Sequence, residues 1–278
     1  MPPEATAAAL LSALVHASWN AFLKAGRDRL IDLGVMGIGG SLFGILVVAW
    51  RGLPLAASWS YLVGSGIVHL AYWLALARSY SSGDMSQVYT IARGLAPALV
   101  TVGAMLAAQE APTPSAAVGI AAVSAGIGAI GFSSRAPGRA TAWAILTGVT
   151  IATYSLLDAL GARASGNVIA YVGASALANF VPITVLLLPR RGIEDLSSAM
   201  RGRWWAVMGA GAISNAGFGL ALWAQTIAPI AYVTALRETS VVFGAGIAAT
   251  ALRERVSARR WLGALVVAAG AALIAFGR

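Results

Sequence analysis

The chain has no cysteine among its 278 residues. Disulfides, thiol nucleophiles and Cys-ligated metals are therefore excluded, and the redox compartment leaves no mark on the sequence. Charge is scarce as well: Asp, Glu, Lys and Arg make up 10% of residues, well short of the roughly 25% of an ordinary soluble domain. Acidic groups are the scarcer sign, 10 against 19 Lys and Arg, with 2 His. No Gly-Lys-Ser loop cradles phosphate, no glycine-flanked Ser nucleophile stands with a His partner, and no His and carboxylate cluster has metal spacing. Neither an enzyme nor a resident cofactor or metal is expected. The formal charge of +9 does not read as nucleic-acid binding, because Arg sits in short segments between apolar runs and not along one face.

What is abundant is apolar surface, 59% of residues, with a strongly positive mean hydropathy. A helix needs about 20 largely apolar residues to cross the hydrocarbon layer, and every backbone group must be bonded inside it. Ten runs meet that requirement: 5–23, 33–50, 59–77, 85–108, 115–133, 141–161, 168–188, 204–226, 230–251 and 261–277. The fold class expected is an all-α integral membrane protein of ten transmembrane helices, multi-pass in the plasma or inner membrane. Between the runs lie Gly, Pro, Ser and charge clusters, none long enough for a separate soluble domain. The first twenty residues lack a basic start and a cleavage site, so they read as a permanent first span. Most of the 32 glycines read as helix-packing residues.

The chain looks duplicated. The stretch from Gln87 to Glu110 and its echo from Val233 to Glu254 align at an offset of 144, which superposes Arg93 on Arg237, Glu110 on Glu254, Gly119 on Gly263 and Gly126 on Gly270. In so Gly-rich a chain the charged coincidences carry the weight. Each unit then holds five spans, residues 1–134 and 135–278, and an odd number inserts the second unit upside down. Such inverted repeats hold their substrate site near the midplane between the halves. Fourteen Lys and Arg fall on one side of the ten spans and three on the side of the termini. The positive-inside rule places both termini outside the cytoplasm.

Charge at membrane depth costs several kcal/mol unless paired or hydrated. Arg93, Asp158, Arg237 and Glu238 lie at such depth. They read either as two structural salt bridges or as a site where a guanidinium fork meets an anionic group. Asp158 is the preferred partner for Arg237 over Glu238, which follows Arg237 directly and faces elsewhere on the helix. His16, Trp19, Asn20 and Lys24 recur at helical spacing and share a face, as do His69, Tyr72 and Trp73. Tyr154 shares a face with Asp158, Asn215 looks inward, and Tyr89 precedes Arg93 by one turn. These twelve, His16, Trp19, Asn20, His69, Tyr72, Trp73, Tyr89, Arg93, Tyr154, Asp158, Asn215 and Arg237, are the candidate substrate-binding residues. Lys24, Asp158 and Glu238 are the candidates for coupling or ion pairing, with protons as the coupling partner. Trp50, Trp59, Trp143, Trp204, Trp205 and Trp261 read as interfacial belt.

Three stretches together resemble the drug/metabolite transporter superfamily, specifically the ten-span EamA-type exporters. They are HASWNAFLK from His16 to Lys24, ARGLAP from Ala92 to Pro97 leading to Glu110, and LRETS followed by Leu252 to Glu254. The resemblance implies a five-plus-five inverted bundle that exports a small metabolite, often an amino acid, by alternating access. It also implies that Trp19, Asn20 and Lys24 belong to the first-span motif and Arg93 to the fourth-span one. Relatives are usually drawn with cytoplasmic termini, against the Arg count here. Two other functions compete: an organic-cation exporter binding through Asp158 and Glu238, and a non-transporting membrane scaffold. The expected partners are a small-molecule substrate and the lipid bilayer. No nucleic acid is expected, and the oligomeric state is open.

Overall fold

The computed structural model describes residues 1–24, 29–82, 85–131, 138–187, 200–251, 253 and 256–277, and of 24, 29, 30, 77, 79–82, 85–89, 131, 183, 186 and 187 the backbone alone. Among these residues the secondary structure is helical, without strands. Helices α1 to α4 span Pro3–Lys24, Arg29–Arg51, Trp59–Ser82 and Met85–Ala107, with a 3₁₀ turn at Ala56–Ser58 before α3. Helices α5 to α8 span Pro114–Gly131, Gly138–Ala164, Val168–Leu187 and Trp204–Ile227. The chain ends in α9 (Ile230–Arg237), α10 (Ser240–Thr250) and α11 (Ala258–Phe276).

Local chemistry sets several of these boundaries. Pro3 and Pro114 occupy first helical positions, where the missing N–H is not needed. Asn167 Oδ1 accepts from the N–H groups of Ile169 and Ala170, and the Ser257 hydroxyl accepts from the N–H of Arg260, so α7 and α11 start on capping side chains. Gly166, at φ 67°, makes the left-handed turn between α6 and α7.

Among the described residues seven helices are long and apolar enough to cross a membrane, and Pro114–Ile130 and Val168–Pro182 are shorter apolar helices. The burial pattern suits lipid. Small residues such as Ala5, Ala9, Ala13 and Ala96 are fully buried, whereas Leu46, Ile67, Leu106 and Phe276 stand exposed. In a membrane, large apolar side chains face the acyl chains and small ones let backbones approach. Trp50, Trp59, Trp205 and Trp261 are all exposed near helix ends, as a belt requires.

The bundle is built from a few extensive pairings: α5 along α11, α3 along α6, α2 along α7, α4 along α6, and α1 along α8. At the α5–α11 crossing four glycines interlock. A Cβ on Gly119 would fall 2.7 Å from the Gly270 carbonyl and one on Gly270 2.6 Å from that of Gly119; the Gly126 and Gly263 pair repeats this at 2.9 and 2.8 Å.

One expected span is not a single helix. The apolar run 230–251 is divided at Glu238 and Thr239, where N–H groups bond three residues back: Glu238 to Ala235, Thr239 to Leu236, Val241 to Glu238 and Val242 to Thr239. Hydropathy cannot detect such tightening, because it changes backbone pairing and not composition. Its counterpart α4 runs through Pro97, which lacks the N–H that would reach the Arg93 carbonyl. Pro97 and Val241 are 144 positions apart, so the regular ladder fails at the same place in both stretches by different chemistry.

Candidate functional site

A cavity of about 190 Å³ lies inside the bundle. Its wall takes Ser12, His16, Trp19 and Asn20 from α1, Leu33 and Met36 from α2, and His69, Tyr72, Trp73 and Leu76 from α3. The opposite wall takes Ala92 and Arg93 from α4, Thr147, Ile151, Tyr154 and Ser155 from α6, Asn179 and Phe180 from α7, and Ser214, Asn215, Gly217 and Phe218 from α8. Thr234, Arg237 and Glu238 complete it from α9 and the turn that follows. Most of these positions lie in mid-helix. Those of α1 fall toward its C-terminal end and those of α2 and α4 toward their N-terminal ends, so the cavity is displaced from mid-depth away from the chain termini.

The lining is aromatic with a charged floor. His16 meets Trp19 edge to face at 5.0 Å between centroids, His69 stacks on Tyr154 at 3.9 Å, and Tyr72 contacts both Trp73 and Tyr154 at 5.2 and 5.8 Å. Asn20 donates to the His16 carbonyl and Asn215 to that of Gly211, so each amide keeps its oxygen for other partners. Ser12 Oγ and Asn179 Oδ1 are buried without a hydrogen-bond partner among the described residues.

The two arginines are not equivalent. Arg93 Nε lies 3.1 Å from Glu238 Oε2, and its Nη2 donates to Ser240 Oγ at 3.4 Å. Nε and Oε2 form an ion contact whose geometry falls outside a hydrogen bond. Arg93 thus bridges α4 to the break between α9 and α10. Arg237 has its guanidinium 5.3 Å from the Phe218 ring centroid, a cation–π arrangement. Among the described residues no carboxylate or hydrogen-bond acceptor pairs with it, and its Nε is buried without a hydrogen bond. The charged groups lining the cavity, among the described residues, are Arg93, Arg237 and Glu238, one cation in excess.

Of the twelve candidate residues, ten line this one cavity: His16, Trp19, Asn20, His69, Tyr72, Trp73, Arg93, Tyr154, Asn215 and Arg237. The side chains of Tyr89 and of the coupling candidate Lys24 lie outside the described residues. Asp158 is fully buried behind the wall, where Tyr171 Oη donates to its Oδ1 at 3.0 Å. The expected Asp158–Arg237 pair is not among the ion contacts, and Glu238 pairs with Arg93 instead. The break after Arg237 turns Glu238 away from the geometry of a continuous helix. Ser12, Asn179 and Phe218 were missed, although Ser12 is one turn before His16, Phe218 is three residues after Asn215, and Asn179 stands alone in an apolar run.

At the end that carries the termini, side chains tie α6, the segment after α4 and the start of α9 together. Arg163 Nη1 lies 2.7 Å from Glu110 Oε1, whose Oε2 accepts from Ile230 N–H at 2.8 Å. Arg163 also donates from Nε to the Gln225 carbonyl and from Nη2 to that of Ala228. Tyr232 Oη accepts from Thr113 N–H beside this clasp. The N-terminus of α9 is therefore held at one end of a helix whose other end presents Thr234 and Arg237 to the cavity.

Apolar helices with lipid-facing surfaces around an internal aromatic cavity that holds charged groups define a multi-pass membrane protein. The family model described as the EamA-like transporter family matches residues 138–276. The chain belongs to that family, within the drug/metabolite transporter superfamily. Its members are transporters and not enzymes. A solved crystal structure matches with 16% sequence identity and a TM-score of 0.76, covering 98% of each chain, which establishes the shared fold. Comparison with curated protein sequences returns no match.

Proposed function

We propose that this protein is a secondary exporter of a small polar metabolite bearing a carboxylate or similar anion, an amino acid or related compound, working by alternating access. The observation that carries the reading is Arg237: a guanidinium in an aromatic cavity, with no carboxylate within ion-pair distance among the described residues. Holding such a charge within a membrane costs several kcal/mol, and an anionic cargo removes that cost while its apolar part packs on Trp19, Tyr72 and Phe218. An apolar cavity of about 150 Å³ admits benzene, so about 190 Å³ suits a solute of comparable or slightly larger size.

The architecture in this reading is two inverted five-helix units, 1–134 and 135–278, giving ten spans with α9 and α10 together forming the ninth. The packing supports it. If α1 to α5 correspond to α6, α7, α8, α9–α10 and α11, exchanging the units converts α3·α6 into α8·α1 and α4·α6 into contacts of α9 and α10 with α1. It returns α2·α7 and α5·α11 to themselves, and all of these pairs are packed. The glycine crossing has the same property, since Gly119 and Gly126 sit 144 positions before Gly263 and Gly270. The Arg163–Glu110 clasp closes the end carrying the termini, which the basic loops on the other side make the non-cytoplasmic face of the cell membrane.

The organic-cation reading is weaker, because Glu238 is engaged by Arg93 and Asp158 does not line the cavity. The test is a thermal-shift screen of the purified protein with amino acids, other organic anions and hydrophobic amines. Anions are expected to raise the unfolding temperature, by about 2.7 kcal/mol of stabilisation at a hundredfold excess over Kd. Arg237→Gln should abolish this shift without lowering the ligand-free unfolding temperature. Stabilisation by amines alone overturns the reading, as does a lack of transport in liposomes.

A further inference from the structure

Asp158 is a carboxyl with no role in the cavity wall and, among the described residues, no cation within ion-pair distance, although it shares a face of α6 with Tyr154 and Ser155. It is fully buried. Its Oδ1 accepts from Tyr171 Oη, and Oδ2 has no hydrogen-bond partner. Gly161 makes that contact feasible, because a Cβ there would collide with the Tyr171 ring and hydroxyl. The arginines of the neighbourhood are occupied elsewhere: Arg163 with Glu110 and two carbonyls, Arg93 with Glu238 and Ser240, and Arg237 over Phe218. An ionised carboxylate in this place would be dehydrated and, among the described residues, without an ion pair, a costly state that a proton relieves. Asn would supply the same acceptor for Tyr171, so the position is occupied by a titratable group where a neutral one would serve the packing.

A path joins this carboxyl to the cavity. α3 and α6 pack along each other, and Ser65 and His69, one turn apart on α3, lie opposite Asp158 and Tyr154, one turn apart on α6. His69 Nδ1 is 3.0 Å from the Ser65 carbonyl oxygen and 3.2 Å from Ser65 Oγ. The Ser65 hydroxyl stands beside the Asp158 carboxyl. His69 and Tyr154 line the cavity; Ser65 and Asp158 do not.

We propose that Asp158 is a proton-binding site set behind the cavity wall and filled from it through His69 and Ser65. In the loading step, His69 Nε2 takes a proton from a hydronium ion in the cavity, leaving a neutral water. Its Nδ1–H passes to Ser65 Oγ, and the Ser65 hydroxyl proton goes to Asp158 Oδ2. The carboxylate becomes a carboxylic acid, His69 ends neutral with its tautomer exchanged, and Ser65 is left as a hydroxyl. The titratable and charged groups that face Asp158 are His69 from α3, Tyr171 from α7 and Tyr154 on its own helix. Beyond the wall stand Arg237 and Glu238 at the end of α9 and Arg93 from α4. Unloading the proton places a negative charge behind the same wall that carries Arg237, so the Asp158 carboxylate and an anionic cargo compete for that guanidinium's field, and binding of the proton favours binding of the anion. This coupling rests on the exporter reading; the protonated carboxyl itself does not.

Infrared spectroscopy of the purified, ligand-free protein at neutral pH tests the site. A carboxylic-acid C=O band is expected that shifts with carboxyl-labelled [¹³C]Asp, disappears in Asp158→Asn and moves in frequency in Tyr171→Phe. If Asp158→Asn fails to fold, the label and Tyr171→Phe identify the band on their own. Ser65→Ala should keep the band and slow its shift on transfer to D₂O at least tenfold. A spectrum without an aspartic-acid band, or one unchanged in both Asp158→Asn and Tyr171→Phe, overturns the site; unchanged exchange in Ser65→Ala overturns the path. A band with no anion-induced thermal shift would sink the cavity reading alone, and the reverse result would sink this one alone.

Discussion

Arg163 and Glu110 meet at 2.7 Å where the end of α6 passes the segment between α4 and α5, and the same carboxylate caps the first N–H of α9. One charge pair thus holds the tip of the helix whose far end presents Arg237. Because the chain has no cysteine, a single thiol at Ser214 in the cavity reports access without background. Hydrogen bonds to charged groups contribute about 1.5–3 kcal/mol each. Glu110→Gln is therefore expected to raise the labelling rate of Ser214→Cys, by a membrane-impermeant maleimide added on the terminus side, about tenfold or more. An unchanged rate would mean that the clasp does not control this end.

The arginines should separate in stability. Removing Arg93 leaves Glu238 buried and unpaired, a change that costs about 3–5 kcal/mol for a buried pair. Arg93→Ala should unfold at clearly lower denaturant or temperature than Arg237→Ala, and adding Glu238→Gln to Arg93→Ala should recover much of the loss. Equal losses for the two single variants would contradict the pairing.

The glycine crossing gives a test of packing. In Gly119→Ala and Gly270→Ala the new methyl meets a carbonyl oxygen of the facing backbone at 2.7 and 2.6 Å, and overpacking of this kind costs about 1–3 kcal/mol. Gly128→Ala, on the same α5 but with nothing within 4 Å of its Cβ, should be neutral or stabilising by up to about 1 kcal/mol from helix propensity. Thermal unfolding in detergent distinguishes the two outcomes.

Ser257 is the cap of α11. Ser257→Ala should cost about 1 kcal/mol and speed amide exchange in the first turn, at Arg260 and Trp261, while leaving α5 protected. Uniform loosening of the helix would argue against a local cap.

The helical membrane class was legible because lipid imposes two rules that composition records directly: long apolar runs, and backbone groups satisfied within each helix. Much of the cavity lining was legible too, since polar and aromatic groups at helical spacing within apolar runs must face inward. His16, Trp19 and Asn20 are the clearest case. The pairing of charges was not legible. Which carboxylate meets which arginine depends on the turn at Glu238 and Thr239, a shift from four-residue to three-residue hydrogen bonding that leaves no trace in hydropathy.

The glycines show the same division from the other side. Their repetition at an offset of 144 was visible, but in a chain with 32 Gly it meant little until α5 and α11 were seen to cross on those four residues. The sequence by itself determined that helices form and which of their faces avoid lipid, because these follow from the chemistry of single segments in hydrocarbon. Only the tertiary structure decided that Arg93 meets Glu238 in an ion pair while Arg237, among the described residues, lies over Phe218 without one, because ion pairing is a matter of a few ångströms between segments far apart in the chain.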